Sequence, residues 1–258
     1  MSLLSYVTKG AGLPVVFLHG FCEDKSIWED FTEPVLAHAT TICIDLPNFG
    51  QSPAMPQATI EKMAEAVIEL LDFLGVEKCI LVGHSLGGYV GLAVAEFYPD
   101  RLLGFVMFHS TAFEDSPERK EGRNKAMNNI NQNGVEPFVR ALIPSLFSPN
   151  QIESKHIKLA ISTLVENAKK LPAENLIYTL EAMRNRKERI EILKQANFSI
   201  LFLIGKDDAA VPLEASIAQC YLAKNSIVHI LAQVGHMGMI EAPKEFAKTM
   251  IAFINYCK

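Results

Sequence analysis

Long hydrophobic runs are missing from this 258-residue chain. No apolar stretch approaches the roughly 20 residues that a membrane-spanning helix requires. The N-terminal MSLLSYVTKG also lacks a basic segment followed by a long apolar core and a cleavage site, so a cytoplasmic location is expected. Cysteine is sparse and unpatterned. Cys22, Cys43, Cys79, Cys220 and Cys257 are odd in number, with no C-x-x-C pair and no cysteine/histidine cluster. That excludes a disulfide framework and a zinc site of the usual spacing, and implies free thiols in a reducing compartment. Charge of one sign is lacking too: 24 Lys and Arg stand against 29 Asp and Glu, a net of -5, which argues against a nucleic-acid footprint. The basic run Arg184-Asn185-Arg186-Lys187-Glu188-Arg189 reads as a solvated helix face. Internal repeats and low-complexity tracts are absent.

What is present is an ordinary globular composition, 49% apolar and 21% charged, long enough for one sizeable domain or a domain with an insertion. Short apolar runs rich in β-branched residues span Val15 to Leu18, Thr41 to Ile44, Cys79 to Val82, Phe105 to Phe108, Ile200 to Ile204 and Ile227 to Leu231. Helical candidates at Ile60 to Leu74, Leu86 to Phe97, Leu213 to Leu222 and Lys244 to Ile254 alternate with them. In the first of these, Ile60, Met63, Ala64, Val67, Ile68 and Leu71 recur at spacings of three and four. Strand followed by helix, repeated, predicts an α/β fold with a mostly parallel sheet covered on both faces. Between Thr111 and Asn197 no strand pattern occurs, and the sequence turns charged, Asn-rich and helical. Residues 111–197 are therefore expected to form a helical cap inserted into a core of residues 1–110 and 198–258, lying over the carboxyl ends of the strands.

The chemistry-bearing signal is Gly83-His84-Ser85-Leu86-Gly87, placed where the strand CILV turns into the small-residue helix LGGYVGLAVAEF. A serine on such a sharp turn is held above the sheet edge, and glycines two residues to either side relieve collisions with neighbouring backbone. The turn also aims the first N–H of the next helix, that of Leu86, at the site where an oxyanion would develop. A serine hydroxyl is a weak nucleophile at neutral pH and needs a histidine base oriented by a carboxylate. Of seven histidines, His236, in the loop VGHMGMIEAP after the last strand run, sits at the carboxyl edge. His19, His38, His84, His109, His156 and His229 read as structural. LFLIGKDDAAVP supplies the acid, Asp208 or Asp207, in the chain order Ser, Asp, His. The run HSTAF after Phe108 carries no carboxylate, which removes a competing position for the acid.

Four signals in order, His19-Gly20-Phe21, Gly83 to Gly88, Gly205-Lys206-Asp207-Asp208 with Pro212, and Gly235-His236 with Glu241-Ala242-Pro243, together resemble the α/β-hydrolase fold superfamily. ICIDLPNFGQS is similar to that family's D-x-P-G-x-G-x-S turn, departing from it at Asn48 and Phe49. The resemblance implies Ser85 as nucleophile, His236 as general base and Asp208 as the acid, with an oxyanion hole formed by the backbone N–H groups of Phe21 and Leu86. It implies no metal and no organic cofactor. Phe21 would wall the acyl pocket, and Trp28 would pack in the core. A serine at the elbow argues against dehalogenases and epoxide hydrolases, which attack with aspartate. The segment HSTAFEDSPERKEGRNKA looks most like small bacterial carboxylesterases and enol-lactone hydrolases, implying hydrolysis of a small-molecule ester, lactone or thioester. A C–C bond hydrolase, which would need a cap arginine such as Arg123, Arg140 or Arg184, a cofactor-free perhydrolase, and a non-enzymatic small-molecule receptor are the alternatives. No nucleic-acid or membrane partner is expected.

Overall fold

The computed structural model describes residues 3–258. Seven strands form one sheet: β1 (Tyr6–Gly10), β2 (Pro14–Leu18), β3 (Thr40–Ile44), β4 (Cys79–His84), β5 (Leu102–Phe108), β6 (Ser199–Gly205) and β7 (Ser226–Leu231). Their spatial order is β1-β3-β2-β4-β5-β6-β7; β1 runs antiparallel to β3 and every other neighbouring pair is parallel. Eleven helices are found among the described residues. They are α1 (Glu29–Thr32), α2 (Ile60–Phe73), α3 (Leu86–Phe97), α4 (Pro117–Asn133), α5 (Val135–Ser145), α6 (Lys155–Ala168), α7 (Ala173–Arg184), α8 (Ile190–Gln195), α9 (Leu213–Leu222), α10 (Gly238–Glu241) and α11 (Pro243–Tyr256). None is long and apolar enough to cross a membrane.

Five of the six apolar runs become parallel strands buried along most of their length, and β4, at the centre, is buried at every residue; the sixth, β7, lies at the sheet edge with its first three residues exposed and its last three half-buried. Successive strand residues point to opposite faces. On β5, Phe105 packs against Gly91 of α3, while a side chain at the preceding Gly104 would meet Phe253 and Cys257 at the end of α11. Helices thus cover both faces: α2, α8 and α9 join α3 on one, and α1 packs with α11 on the other. Thr59 starts α2 by accepting a hydrogen bond from Lys62 N–H, and the heptad-like spacing of Ile60, Met63, Ala64, Val67, Ile68 and Leu71 is its buried face.

One strand was not visible in the apolar pattern. The edge strand β1 is exposed at four of its five residues, so no buried run announces it; antiparallel pairing with β3 fixes it instead. The interval between β5 and β6 consists of five helices, and the last, α8, packs against α3 and α9 within the helix layer of the sheet.

The departures in the 42–52 turn have a local reason. Asn48 has φ +77°, a left-handed conformation that asparagine tolerates better than most residues where glycine is usual. Its side chain accepts from Met55 N–H and donates to Thr179 of α7, so the residue also ties this turn to the helices between β5 and β6. Phe49 is buried edge-on against the rings of His19 and Phe21.

Candidate active site

Because all but the edge strand run in parallel, the loops after β2, β4, β5, β6 and β7 emerge along one edge of the sheet. That edge carries Phe21, Ser85, His109, Asp208 and His236 in turn. Ser85 directly follows β4 and precedes the first residue of α3, with φ +49° and ψ -111°. A non-glycine residue held there costs about 1–3 kcal/mol, so the surroundings must enforce it. They do: a side chain at Gly83 would collide with the backbone of Gly87 and Gly88, and one at Gly87 with the Leu18 carbonyl of β2. Close packing of strand, turn and helix leaves Ser85 no relaxed alternative. Leu86 heads α3, whose first-turn N–H groups have no acceptor within the helix.

Ser85 and His236 open together onto a cavity of about 500 Å³. Its walls are largely apolar, with Phe21, Phe138, Leu142, Leu146, Leu180 and Val211 prominent, and α4, α5 and α7, from the interval between β5 and β6, supply much of them. His236 Nδ1 lies 2.8 Å from Asp208 Oδ2. An ionised carboxylate only accepts, so Nδ1 carries the hydrogen and Nε2 is left with a free lone pair. Burial alone would disfavour charge on either partner. The attraction between them outweighs it, holding the Asp208 carboxyl well below the usual range and raising His236 above the ordinary imidazole value of 6.5, with Glu23 and Glu241 adding to the latter.

A family model described as the alpha/beta hydrolase fold matches residues 14–243. The chain belongs to the alpha/beta hydrolase family. Among solved structures, this hydrolase is similar to a thermophilic esterase from Thermogutta terrifontis, with malate bound, at 28% identity and a TM-score of 0.93, covering 98% of this chain and 93% of that one. The enol-lactonase from Burkholderia xenovorans LB400 shares the fold, at 21% identity and a TM-score of 0.90, covering 98% and 96%. A curated relative, the dihydrolipoyllysine-residue acetyltransferase component of the acetoin cleaving system of Pseudomonas putida, is 30% identical over 250 residues, 95% of this chain. The hydrolase spans 64% of that relative's length.

The two neighbouring carboxylates of this hydrolase go to different partners. Asp208 Oδ1 accepts from the N–H groups of Ala210 and Val211, both at 2.8 Å, and its Oδ2 faces His236. Asp207 instead accepts from Ser148 Oγ at 2.5 Å and Asn150 Nδ2 at 2.8 Å, pinning the segment after α5 beside the His236 loop. That loop is held from below by Glu241, whose carboxylate collects the N–H groups of Gly235, Met237 and Ser148. The Leu146 carbonyl accepts from His236 N–H at 2.7 Å.

The other histidines divide clearly. His19 Nε2 accepts from Leu46 N–H at 2.9 Å and ties the loop after β2 to that after β3. His84 Nε2 donates to the His236 carbonyl at 2.9 Å, and its Nδ1 meets Glu23 at 3.1 Å. His229, on β7, pairs with Thr249 of α11. His109 reads as structural from the sequence, yet its Nδ1 lies 3.2 Å from Asp208 Oδ2. No motif marks it; its only sequence signal is its place directly after β5, a strand end where this fold can carry an acid.

Of the three arginines considered for a substrate carboxylate, only Arg123 lines the cavity, and it is paired with Asp115. Arg140 pairs on the surface with Glu136 and Glu166, while Arg184 donates to Asn124 and Asn185. Trp28 is fully buried among Phe17, Phe31 and Phe108. All five cysteines are free, and burial pushes the thiols of Cys43, Cys79 and Cys220 up to about 12 and that of Cys257 to about 11. None lines the cavity.

Proposed function

We propose that this protein is a serine hydrolase that cleaves a carboxylic ester, lactone or thioester of a small molecule through an acyl-enzyme at Ser85. The observation that carries the reading is the strained elbow of Ser85 opening onto the same cavity as His236, with Asp208 bonded to the far nitrogen of that histidine. His236 Nε2 takes the Ser85 proton as Oγ attacks the carbonyl carbon. The carbonyl oxygen, now negative, is held by the N–H groups of Leu86 and Phe21. His236 then protonates the departing alcohol or thiol, and water repeats the sequence to release the acid. Asp208 keeps His236 in the tautomer that presents Nε2 and stabilises the imidazolium formed in each half. No step calls for a metal or an organic cofactor.

The inserted helices act as the cap in this reading, and the apolar lining favours an acyl group of modest size. Similarity to the Thermogutta terrifontis esterase supports esters ahead of other carbonyl compounds. The free cysteines fit a reducing, cytoplasmic setting. A panel of p-nitrophenyl esters of increasing acyl length, run beside a dienoic diketone and with fluorophosphonate labelling, tests the proposal. Efficient turnover of the shorter esters with labelling at Ser85 is expected; turnover of the diketone alone overturns the ester assignment, and failure to label folded protein overturns the nucleophile.

The pH dependence follows from His236. The base must be neutral to accept the Ser85 proton, and its retained proton is favoured by Asp208, so kcat/KM falls as pH drops through a midpoint above 6.5. An acid-limb midpoint below 6.5 on a p-nitrophenyl ester contradicts this electrostatic account.

A further inference from the structure

His109 has two features that core packing does not explain. Its backbone is held at φ +47°, a region a non-glycine side chain avoids, and its Nε2 is buried with no hydrogen-bond partner among the described residues. The ring sits against Phe108 and Phe246, where a phenylalanine would pack as well and leave no orphaned polar atom. What a phenylalanine would lack is Nδ1. That atom faces Asp208 Oδ2 at 3.2 Å, the same oxygen that His236 Nδ1 meets at 2.8 Å. The carboxylate accepts only, so His109 carries its hydrogen on Nδ1, and burial keeps it neutral by pushing its pKa down to about 4.

Asp208 therefore has four donors: two backbone N–H groups on Oδ1 and two imidazoles on Oδ2. A carboxylate offers about four acceptor sites, and here all are filled. We propose that His109 is a positioning residue of the active site: by sharing Oδ2 it fixes the Asp208 carboxylate and moderates how strongly that carboxylate holds the proton on His236. The inference rests on the triad reading above. Remove the His109 donor and more of the carboxylate charge falls on His236 alone, whose protonated form gains.

The other groups that face this trio are few. His84, ending β4, lies with its ring centroid 4.8 Å from that of His236 and 6.3 Å from that of His109. Glu23 from the loop after β2 and Glu241 from α10 both favour charge on His236. Asp207 is turned to Ser148 and Asn150, α10 presents Gly238 to His109 Nε2, and α11 presents Phe246. None of these donates to Asp208, so the His109 contribution is separable.

The test compares His109→Phe, which removes the donor and keeps a ring, with His109→Asn, which keeps an N–H and suits a positive φ. His109→Met replaces the first if the phenylalanine protein does not fold. The acid-limb midpoint of kcat/KM is expected to rise by about half to one pH unit in His109→Phe and to return toward wild type in His109→Asn. The same midpoints are read directly from the Cε1–H resonance of His236 by NMR. That measurement needs no turnover: absence of ester hydrolysis in the wild type would strike the hydrolase reading and leave it standing. A donor-free variant whose His236 titrates like wild type overturns the proposal, as does an asparagine variant shifted as far as the phenylalanine one.

Discussion

Ser85→Ala is expected to lower kcat on p-nitrophenyl esters by about a million-fold, to the background given by the oxyanion donors and binding alone. On the proposed mechanism the magnitude follows from the loss of covalent catalysis: without Oγ no acyl-enzyme would form, and His236 and Asp208 would have no hydroxyl to activate. Stability should change little. The residue is half-buried at the cavity wall, and alanine inherits the backbone strain of serine without adding to it. The thermal midpoint therefore separates a chemical loss from an unfolded protein. Fluorophosphonate labelling should vanish in parallel, since four of the five cysteines are buried, Cys257 is half-buried, and none lines the cavity. A variant that folds, retains activity within a hundred-fold of wild type and still labels would show that the attacking group lies elsewhere.

Asp208→Asn is expected to cost about ten-thousand-fold in kcat while leaving ester binding almost intact. The direction comes from hydrogen-bond polarity rather than from charge alone. Two backbone N–H groups, of Ala210 and Val211, require an oxygen at the Oδ1 position, so the amide NH2 of an asparagine must occupy the Oδ2 position. There it confronts the Nδ1 atoms of both His236 and His109, and two donors cannot pair. His236 must move its hydrogen to Nε2, which leaves no lone pair to receive the Ser85 proton. The neighbouring Asp207→Asn keeps an oxygen for Ser148 and Asn150 and should stay within about ten-fold of wild type, because its effect reaches His236 only through the loop. Equal losses in the two variants, with both proteins folded, would remove the distinction drawn between these carboxylates.

Much of the architecture was legible because burial leaves a mark in composition. The six parallel strands coincide within a few residues with six apolar runs, and α3 and α9 begin and end where their patterns do. The edge strand β1 left no such mark, because an exposed YVTKG segment has no apolar pattern to read and gains its place only by pairing with β3. Between β5 and β6 the sequence predicts helices, but helical periodicity says nothing about which neighbour an apolar face will meet. That α8 returns to α3 and α9 while α4, α5 and α7 line the cavity is a matter of packing.

The sequence by itself determined the strand-helix alternation, the elbow around Ser85 and the order of loops along the sheet edge. These depend on local propensity, on glycines that nothing larger could replace, and on connections that parallel strands require. The family resemblance already named Asp208 ahead of Asp207, but only the tertiary structure shows what separates them: consecutive side chains in a loop diverge, and backbone N–H groups hold Asp208 against His236 while Asp207 turns to Ser148 and Asn150. It also decided that His109, 99 residues from Asp208 along the chain, shares an oxygen with the histidine opposite. A hydrogen bond of that span leaves no spacing in the sequence, since it exists only where two strand ends are brought side by side.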